Sequence, residues 1–325
     1  MLCLGIESTA HTFGVGVIEN KKILANEKDV IKLEPSKGID PKEAAKHHEE
    51  VKEKVLERAL QKSGKGLEDF DVVAYSAGPG LPPCLLVGYS FAKSICEKIG
   101  AKLVPVNHCI AHIEIGRFVC KFKDPLVVYV SGGNTQILGY EDGKYRIFGE
   151  TLDIGLGNAL DKFGREIGLS GIAGPDIENL AKKGKKYIEL PYSVKGMDIV
   201  YSGIVTAAIK KSKDFPLEDL CYSFQETVFS MLVEVSERAL AHTKKKSVLL
   251  VGGVASNKRL REMLQEMCLE HKAKFGVLPP EYNGDNGAMI ALVGKLSHKN
   301  PENIKINPSW RTDQVEIFWR KKFCS

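Results

Sequence analysis

The chain has 325 residues, of which 43% are hydrophobic and 27% charged, and its formal net charge is +5. A chain of this length is too long for one ordinary hydrophobic core, so we expect two domains. The composition is that of a globular protein. No apolar stretch is long enough to cross a membrane, and we expect no signal peptide. The eight cysteines form no CxxC pair, which predicts free thiols in a reducing cytoplasm. The charge permits a nucleic-acid partner without requiring one.

Two segments of the chain repeat one pattern. Residues 2–24 and 126–147 each read as a strand, a loop with Ser and Thr, a second strand, a turn with Asn or Asp, and a third strand. Helices and single strands alternate through the rest of the chain. The helices expected are 41–62, 85–99, 158–167, 177–183, 218–243, 257–269 and 286–297, and the single strands are 72–76, 103–106 and 247–251. This alternation predicts an α/β protein with mixed sheets in two halves and a ligand cleft between them.

A pair of histidines, His108 and His112, follows the strand over 103–106. Because they are four residues apart, both imidazoles lie on one face of a helix and can reach one metal ion. Zinc metalloproteases with this spacing carry a glutamate directly after the first histidine, and here that position is Cys109. The pair therefore indicates a metal site that does not hydrolyse peptides. The alternative is two histidines that cap a surface helix.

Four polar, glycine-rich junctions lie where strands or helices end, over 7–10, 131–135, 252–257 and 284–288. Small residues let backbone N–H groups approach an anion closely, and a following helix N-terminus adds positive potential. The P-loop pattern GxxxxGK[ST] is absent, and one such junction alone is more often a simple turn. Four in one chain favour a phosphate or nucleotide site in the cleft.

The same residues carry a resemblance. The duplicated strand–loop–strand units, the turn GGVASN (252–257) and the helix start GDNGAMIA (284–291) resemble the actin, hexokinase and heat-shock-chaperone (ASKHA) superfamily. The motifs NHCIAHIEIG (107–116), YVSGGNTQ (129–136) and GETLDIGLGNALDKF (149–163) are similar to the family that makes N6-threonylcarbamoyladenosine in tRNA, in its archaeal and eukaryotic type. The resemblance implies two ribonuclease-H-like lobes with a nucleotide cleft between them. The N-terminal lobe would span 1–125, completed by 286–325, and the C-terminal lobe 126–285.

The resemblance implies the catalytic subunit of the KEOPS complex. Such an acyltransferase moves the threonylcarbamoyl group from threonylcarbamoyl-adenylate to N6 of the adenosine next to the anticodon, in tRNAs that read ANN codons, and releases AMP. The implied partners are tRNA and other KEOPS subunits, including a small protein kinase and a dimerising subunit, with no membrane. The implied cofactor is one metal ion per subunit, iron by preference and zinc or manganese as alternatives, with threonylcarbamoyl-adenylate or ATP in the cleft.

The resemblance also implies site residues. The metal ligands would be His108, His112, Tyr129 and Asp285, and such a nitrogen and oxygen donor set suits iron. Tyr129 could instead be a core tyrosine, and Asp285 a helix N-cap. The substrate would contact Tyr129, Val130, Ser131, Gly132, Gly133, Asn134, Asp161, Gly174, Glu178 and Asn257. The general base is not identified, and Glu7, which would face the cleft, is a candidate.

Three other functions share some of these features. A kinase for sugars or carboxylates, or an ATPase chaperone, would have the same fold and no need of the histidine pair. A zinc metalloprotease would need a glutamate beside the first histidine. A non-catalytic nucleotide-binding scaffold would bind ATP or AMP without turnover, and nothing in the sequence excludes it.

Overall fold

The structure is a computed structural model that describes residues 1–32, 38–169 and 172–320. The first of its two large sheets contains five strands in the order β3-β2-β1-β4-β5. Strand β2 runs antiparallel to both of its neighbours, whereas β1, β4 and β5 are parallel. The strands are β1 (Leu2–Glu7), β2 (Thr12–Glu19), β3 (Lys22–Val30), β4 (Val72–Gly78) and β5 (Lys102–Asn107).

The second large sheet repeats the first. Its order, β8-β7-β6-β11-β12, matches β3-β2-β1-β4-β5 strand for strand, with the same pattern of parallel and antiparallel pairs. The predicted duplication is therefore confirmed. The strands are β6 (Leu126–Val130), β7 (Thr135–Glu141), β8 (Lys144–Glu150), β11 (Ser247–Val251) and β12 (Lys274–Val277), and a small hairpin adds β9 (Val194–Lys195) and β10 (Asp198–Ile199).

The helices flank both sheets. They are α1 (Pro41–Ser63), α2 (Pro82–Ile99), α3 (His108–Cys120), α4 (Leu156–Glu166), α5 (Gly174–Ala181), α6 (Ser202–Lys211), α7 (Leu217–Thr243), α8 (Lys258–Glu270), α9 (Pro280–Asn283) and α10 (Gly287–Ser297). Helix α2 begins three residues before the predicted start, because prolines at the first helical positions need no N–H partner. Helices α6 and α9, strand β12 and the hairpin were not predicted. Among the described residues, no helix is both long and apolar enough to cross a membrane, and the seven described cysteines are all free.

Helix α3 connects the two sheets and carries the histidine pair. It begins at His108 because the side-chain oxygen of Asn107 accepts a hydrogen bond from the Ile110 amide, which satisfies one of the open donors of the first turn. Its first nine residues are all buried, and it packs against β5 on one side and β6 and β11 on the other. The histidines are therefore held at the junction of the two halves.

Helix α10 lies directly on the first sheet. A Cβ atom on Gly16 would lie 2.1 Å from the Ala288 amide nitrogen, and one on Gly5 would lie 2.1 Å from that of Ala291. Only glycine permits this approach of helix backbone to strand backbone. The contact fixes the start of α10 and, with it, the preceding Asp285.

The C-terminal tail runs past the ends of inner strands in both sheets. The Asn307 amide donates to the Ala77 carbonyl (2.7 Å), and the Thr312 hydroxyl donates to the Gln136 side chain (2.9 Å). The lobe boundaries, 1–125 with 286–325 against 126–285, stay a proposal, which the packing of α10 on the first sheet supports. Residues 321–325 of that tail lie outside the described residues.

Candidate metal centre and substrate cleft

Two imidazoles and one carboxylate converge where α3 meets the start of α10. The Asp285 Oδ1 atom lies 3.2 Å from His112 Nε2 and 3.6 Å from His108 Nε2. One potential ligand atom from each of the three residues lies within 4.8 Å of the others. His112 is completely buried and His108 nearly so, which excludes the alternative of two histidines on a surface helix. The two histidines are close because they are four residues apart in one helix, whereas Asp285 comes from a segment 173 positions further along the chain than His112.

The Asp285 carboxylate is available because a neighbour caps the helix. The side-chain oxygen of Asn286 accepts from the Met289 amide at 3.0 Å and serves as the N-cap of α10. The N-cap alternative for Asp285 is therefore wrong. Burial alone would raise the pKa of Asp285, but His108 and His112 outweigh it and hold that pKa well below its usual range.

Tyr129 lies beside these three residues. It lies on β6, completely buried, with its ring centroid 5.5 Å from that of His112. Its hydroxyl has no hydrogen-bond partner among the described residues, and burial raises its pKa well above the usual range. A buried phenol of this kind needs a partner. The phenol lies inside the protein, so a ligand role and the core-tyrosine alternative both agree with its burial.

Glu7 sits behind the histidine pair. Its Oε2 atom lies 2.9 Å from His108 Nδ1, and its Oε1 atom accepts from the backbone amide and the hydroxyl of Thr9. When Nδ1 donates to Glu7, the lone pair of His108 Nε2 faces Asp285, as in carboxylate–histidine–metal arrangements. Both carboxylate oxygens are thus engaged, and the geometry favours a positioning role for Glu7 over that of general base.

The two histidines differ in pKa because their surroundings differ. Burial opposes the charged form of His108, but the carboxylates of Glu7 and Asp285 outweigh it and raise the pKa to about 9. Burial lowers the pKa of His112, and the nearby His108 lowers it further. Asp285 raises that pKa but offsets only part of the decrease. A buried set of two imidazoles, a phenol and a carboxylate fits a mononuclear metal site of the kind that iron, zinc or manganese prefers.

The loop over 131–134 follows β6 directly. Its turn is closed by the Ser131 amide, which donates to the Asn134 carbonyl (2.8 Å), and by the Asn134 amide, which donates to the Ser131 hydroxyl (3.1 Å). Gly132 and Gly133 are exposed, and the loop rests on the first turn of α4. Val130, by contrast, is fully buried, so only its backbone could contact a substrate.

The other four substrate-binding candidates lie around α5 and the start of α8. Asp161 accepts from the Ala173 amide (2.8 Å) and so holds the residue before Gly174, the first of α5. Glu178 lies 3.4 Å from the Lys258 amide, which links α5 to α8.

Asn257 uses both ends of its amide within the protein. Its oxygen caps α8 by accepting from the Leu260 amide, and its nitrogen donates to Gln225. It therefore shapes the 252–257 turn rather than offering a free group.

The sequence reasoning missed several residues near the centre. Thr9 binds Glu7, and Glu150 and Arg311 form an ion pair (3.2 Å) beside the 131–134 loop. The tail that brings Arg311 there has no regular secondary structure over 298–311, so no periodic pattern indicated its position.

Two solved structures share the fold. HypF from T. kodakarensis superimposes with a TM-score of 0.64 at 13% identity, over 90% of this chain and 47% of that one. Component A of the (R)-2-hydroxyglutaryl-CoA dehydratase from Acidaminococcus fermentans gives 0.56 at 18% identity, over 90% and 97%. At such identities the likeness concerns the fold alone. The two-lobed ASKHA fold predicted from the sequence is confirmed.

Comparison of sequences reaches further. The family model described as TsaD, tRNA N6-adenosine threonylcarbamoyltransferase, matches residues 22–292. The tRNA N6-adenosine threonylcarbamoyltransferase of Thermococcus kodakarensis is 51% identical over 98% of this chain and 100% of that protein. A probable bifunctional tRNA threonylcarbamoyladenosine biosynthesis protein of Methanocaldococcus jannaschii is 50% identical over 99% of this chain and 61% of that protein. The chain therefore belongs to the TsaD family of tRNA N6-adenosine threonylcarbamoyltransferases.

Proposed function

We propose that this protein transfers the threonylcarbamoyl group from threonylcarbamoyl-adenylate to N6 of the adenosine next to the anticodon, in tRNAs that read ANN codons. The amine nitrogen forms a bond to the carbamoyl carbon, the bond from that carbon to the phosphate oxygen breaks, AMP leaves and the amine loses a proton. The observation that carries the proposal is the convergence of His108, His112, Tyr129 and Asp285 in a chain of this family. Neither a kinase nor a chaperone of the same fold needs that buried donor set.

We propose that these four side chains hold one metal ion, with iron preferred and zinc or manganese compatible. When bound, the ion would supply Lewis acidity to an oxygen of the adenylate. Glu7 engages Nδ1 of His108, so Nε2 is the atom that would bind the ion, after release of the proton that the Glu7 and Asp285 carboxylates favour. The contribution of the protein here is a ligand set that is positioned before the ion binds.

The loop over 131–134 is our proposed site for the phosphate and carbamoyl end of the substrate. Its two exposed glycines let a phosphate approach the backbone closely. The Gly157 and Asn158 amides at the start of α4 donate to the Ser131 and Gly132 carbonyls and so hold the loop in place. Asp161, Gly174 and Glu178 would surround the ribose. Asn257 would act through the turn that it caps. Holding both reactants in register accounts for much of the rate gain in such transfers.

We infer that the partners are tRNA and the other subunits of a KEOPS complex, including a small protein kinase and a dimerising subunit, in the cytoplasm. The family supports tRNA as a partner, and the net charge of +5 is compatible with it. The name of the M. jannaschii relative supports the partner subunits, because this chain spans 61% of a protein described as bifunctional.

The test is a transfer assay with synthetic threonylcarbamoyl-adenylate, unmodified tRNA, the partner subunits and this chain. The tRNA is digested and its nucleosides are separated by chromatography. We expect the modified adenosine only when this chain is present and its metal is loaded, and we expect His112→Ala to abolish it. His271→Ala is the matched control, because that partly exposed histidine pairs with Glu237 on the surface.

One result would support the alternative function. If the correctly folded protein bound AMP or ATP but made no product, the chain would be a nucleotide-binding scaffold or an ATPase of the same fold. Activity of a metal-free His108→Ala/His112→Ala double variant would separately remove the metal from the reaction.

A further inference from the structure

A cavity of about 260 Å³ opens between the 131–134 loop and the C-terminal tail. Its walls come from residues 133–136, 150–153 and 309–312, together with Pro79 and Cys109. Cys109 belongs to helix α3, so the helix that carries the histidine pair forms part of the wall. The described residues that line it include none of the nucleoside group Asp161, Gly174, Glu178 and Asn257. The cavity therefore shares the 131–134 loop with the proposed phosphate site but none of the residues proposed for the nucleoside.

The charges of this cavity disfavour an anionic occupant. Arg311 is the one cation among its described lining residues, and its guanidinium is already paired with Glu150 (3.2 Å) and Asp313 (3.2 Å). Asp153 adds a further carboxylate to the wall. A phosphate or the carboxylate of a threonyl group would meet this negative excess. A neutral ligand with N–H donors, such as the exocyclic amine of a nucleobase, meets no such repulsion, and the Glu150 and Asp153 carboxylates, though already engaged, keep further lone pairs that can accept.

Leu152 stands at the mouth of the cavity on a fixed loop. Its side chain is 55% exposed, while its backbone amide donates to the Ile199 carbonyl at 2.9 Å. The neighbouring Asp153 accepts from the amides of Tyr201 (3.0 Å) and Ser202 (2.7 Å) and so ties the loop to the start of α6. A large apolar side chain held in water beside a polar cavity offers a surface for the face of a planar ring.

We propose that this cavity receives the acceptor adenine of the tRNA, splayed out of its stack, with Leu152 against the base plane. The inference rests on the proposed function, because the transfer requires the amine and the adenylate to meet at the 131–134 loop. The residues proposed for the nucleoside, Asp161, Gly174, Glu178 and Asn257, do not line the cavity, which leaves it for the second reactant. Enzymes that modify a base commonly take it out of the stack and hold it between apolar side chains and polar groups.

The first test compares Leu152→Ala and Leu152→Glu with Leu269→Glu in the assembled complex, with synthetic adenylate and tRNA. Leu269 is the matched control, because it is 68% exposed near the far end of α8. We expect kcat/KM for tRNA to fall about tenfold in Leu152→Ala, and further in Leu152→Glu, where a new charge repels phosphates. The affinity for the adenylate, measured by titration, should stay within about twofold of wild type. If Leu152→Glu weakened adenylate binding instead, the cavity would hold the threonyl group and the proposal would be overturned.

The second test places a benzophenone amino acid at position 152 and, as control, at position 269. Irradiation with unmodified tRNA should link position 152 to the acceptor adenosine or its direct neighbours and leave position 269 unlinked. Links elsewhere on the tRNA, or none, would contradict the proposal. This measurement does not depend on turnover, so a chain that crosslinked as expected but made no product would disprove the proposed function and leave the base site standing.

Discussion

Replacing Glu7 with glutamine tests how the protein prepares its metal site, because the change keeps the shape and removes one acceptor. Glu7 is completely buried, with Oε1 facing the Thr9 amide at 2.7 Å and Oε2 facing His108 Nδ1 at 2.9 Å. A glutamine has one oxygen and one NH2 group for these two positions. In one orientation the NH2 group faces the amide and hydroxyl donors of Thr9, with which it cannot form a hydrogen bond. In the other it donates to His108 Nδ1, which forces the proton to Nε2 and blocks the atom that would bind the metal.

The magnitude follows from the loss of this orienting contact. Removing such a carboxylate partner typically weakens metal affinity 10- to 100-fold, or about 1.4 to 2.7 kcal/mol. We expect Glu7→Gln to lie in this range for Fe²⁺ and Zn²⁺, measured without oxygen by competition with a chelator whose fluorescence reports free metal. Glu57→Gln on the exposed face of α1 is the control and should bind like wild type. Circular dichroism and thermal melting establish that both variants are folded.

The reasoning would be refuted by a folded Glu7→Gln protein whose metal affinity stays within about twofold of wild type. That result would mean that His108 does not need Glu7 to select its tautomer. A fall in transfer activity at unchanged metal affinity would instead return Glu7 to the role of general base.

Three further predictions concern stability. Gly16→Ala should cost about 3 kcal/mol in urea unfolding, because its Cβ would lie 2.1 Å from the Ala288 nitrogen, whereas Gly203→Ala, with open space around its Cβ, should be neutral. Burial lowers the pKa of His48 to about 4, so the unfolded chain binds the extra proton and wild type should lose about 3 kcal/mol between pH 6.5 and 4. A His48→Gln protein should lack that part of the loss when both are unfolded in urea at each pH. Arg320→Ala should lower stability by about 2 kcal/mol in thermal melting, since its guanidinium stacks 3.7 Å from the Tyr140 ring centroid; an unchanged melting temperature would contradict this.

The sequence predicted those parts of the molecule that depend on local pattern. The two copies of the three-stranded unit have clear alternation and turn residues, and the histidines lie four apart within one helix. These features need no knowledge of the rest of the chain. The architecture, its duplication and half of the proposed metal site could therefore be inferred directly from residues, and the family resemblance added Tyr129 and Asp285.

What could not be inferred depends on contacts between distant segments. Strand β12 has only four residues at a sheet edge, too few to show alternation, and α6 begins with Ser and Gly, which are poor helix formers. The contact between Glu7 and His108 and the tail contact of Thr312 with Gln136 join residues that share no local pattern. The cavity beside the 131–134 loop is built almost wholly from such contacts.

The separation of the proposed ligands along the chain has a consequence for biosynthesis. His112 and Asp285 lie 173 positions apart, so a ribosome that adds about 5 to 20 residues per second makes the second roughly 9 to 35 seconds after the first. During that interval the emerging chain can offer two imidazoles and the Tyr129 phenol to a metal but not the carboxylate that completes the set. If the proposed site binds a metal, its retention would therefore report that synthesis has passed Asp285 and that α10 has docked on the first sheet. A truncated or misfolded copy would be distinguished by its inability to keep the ion.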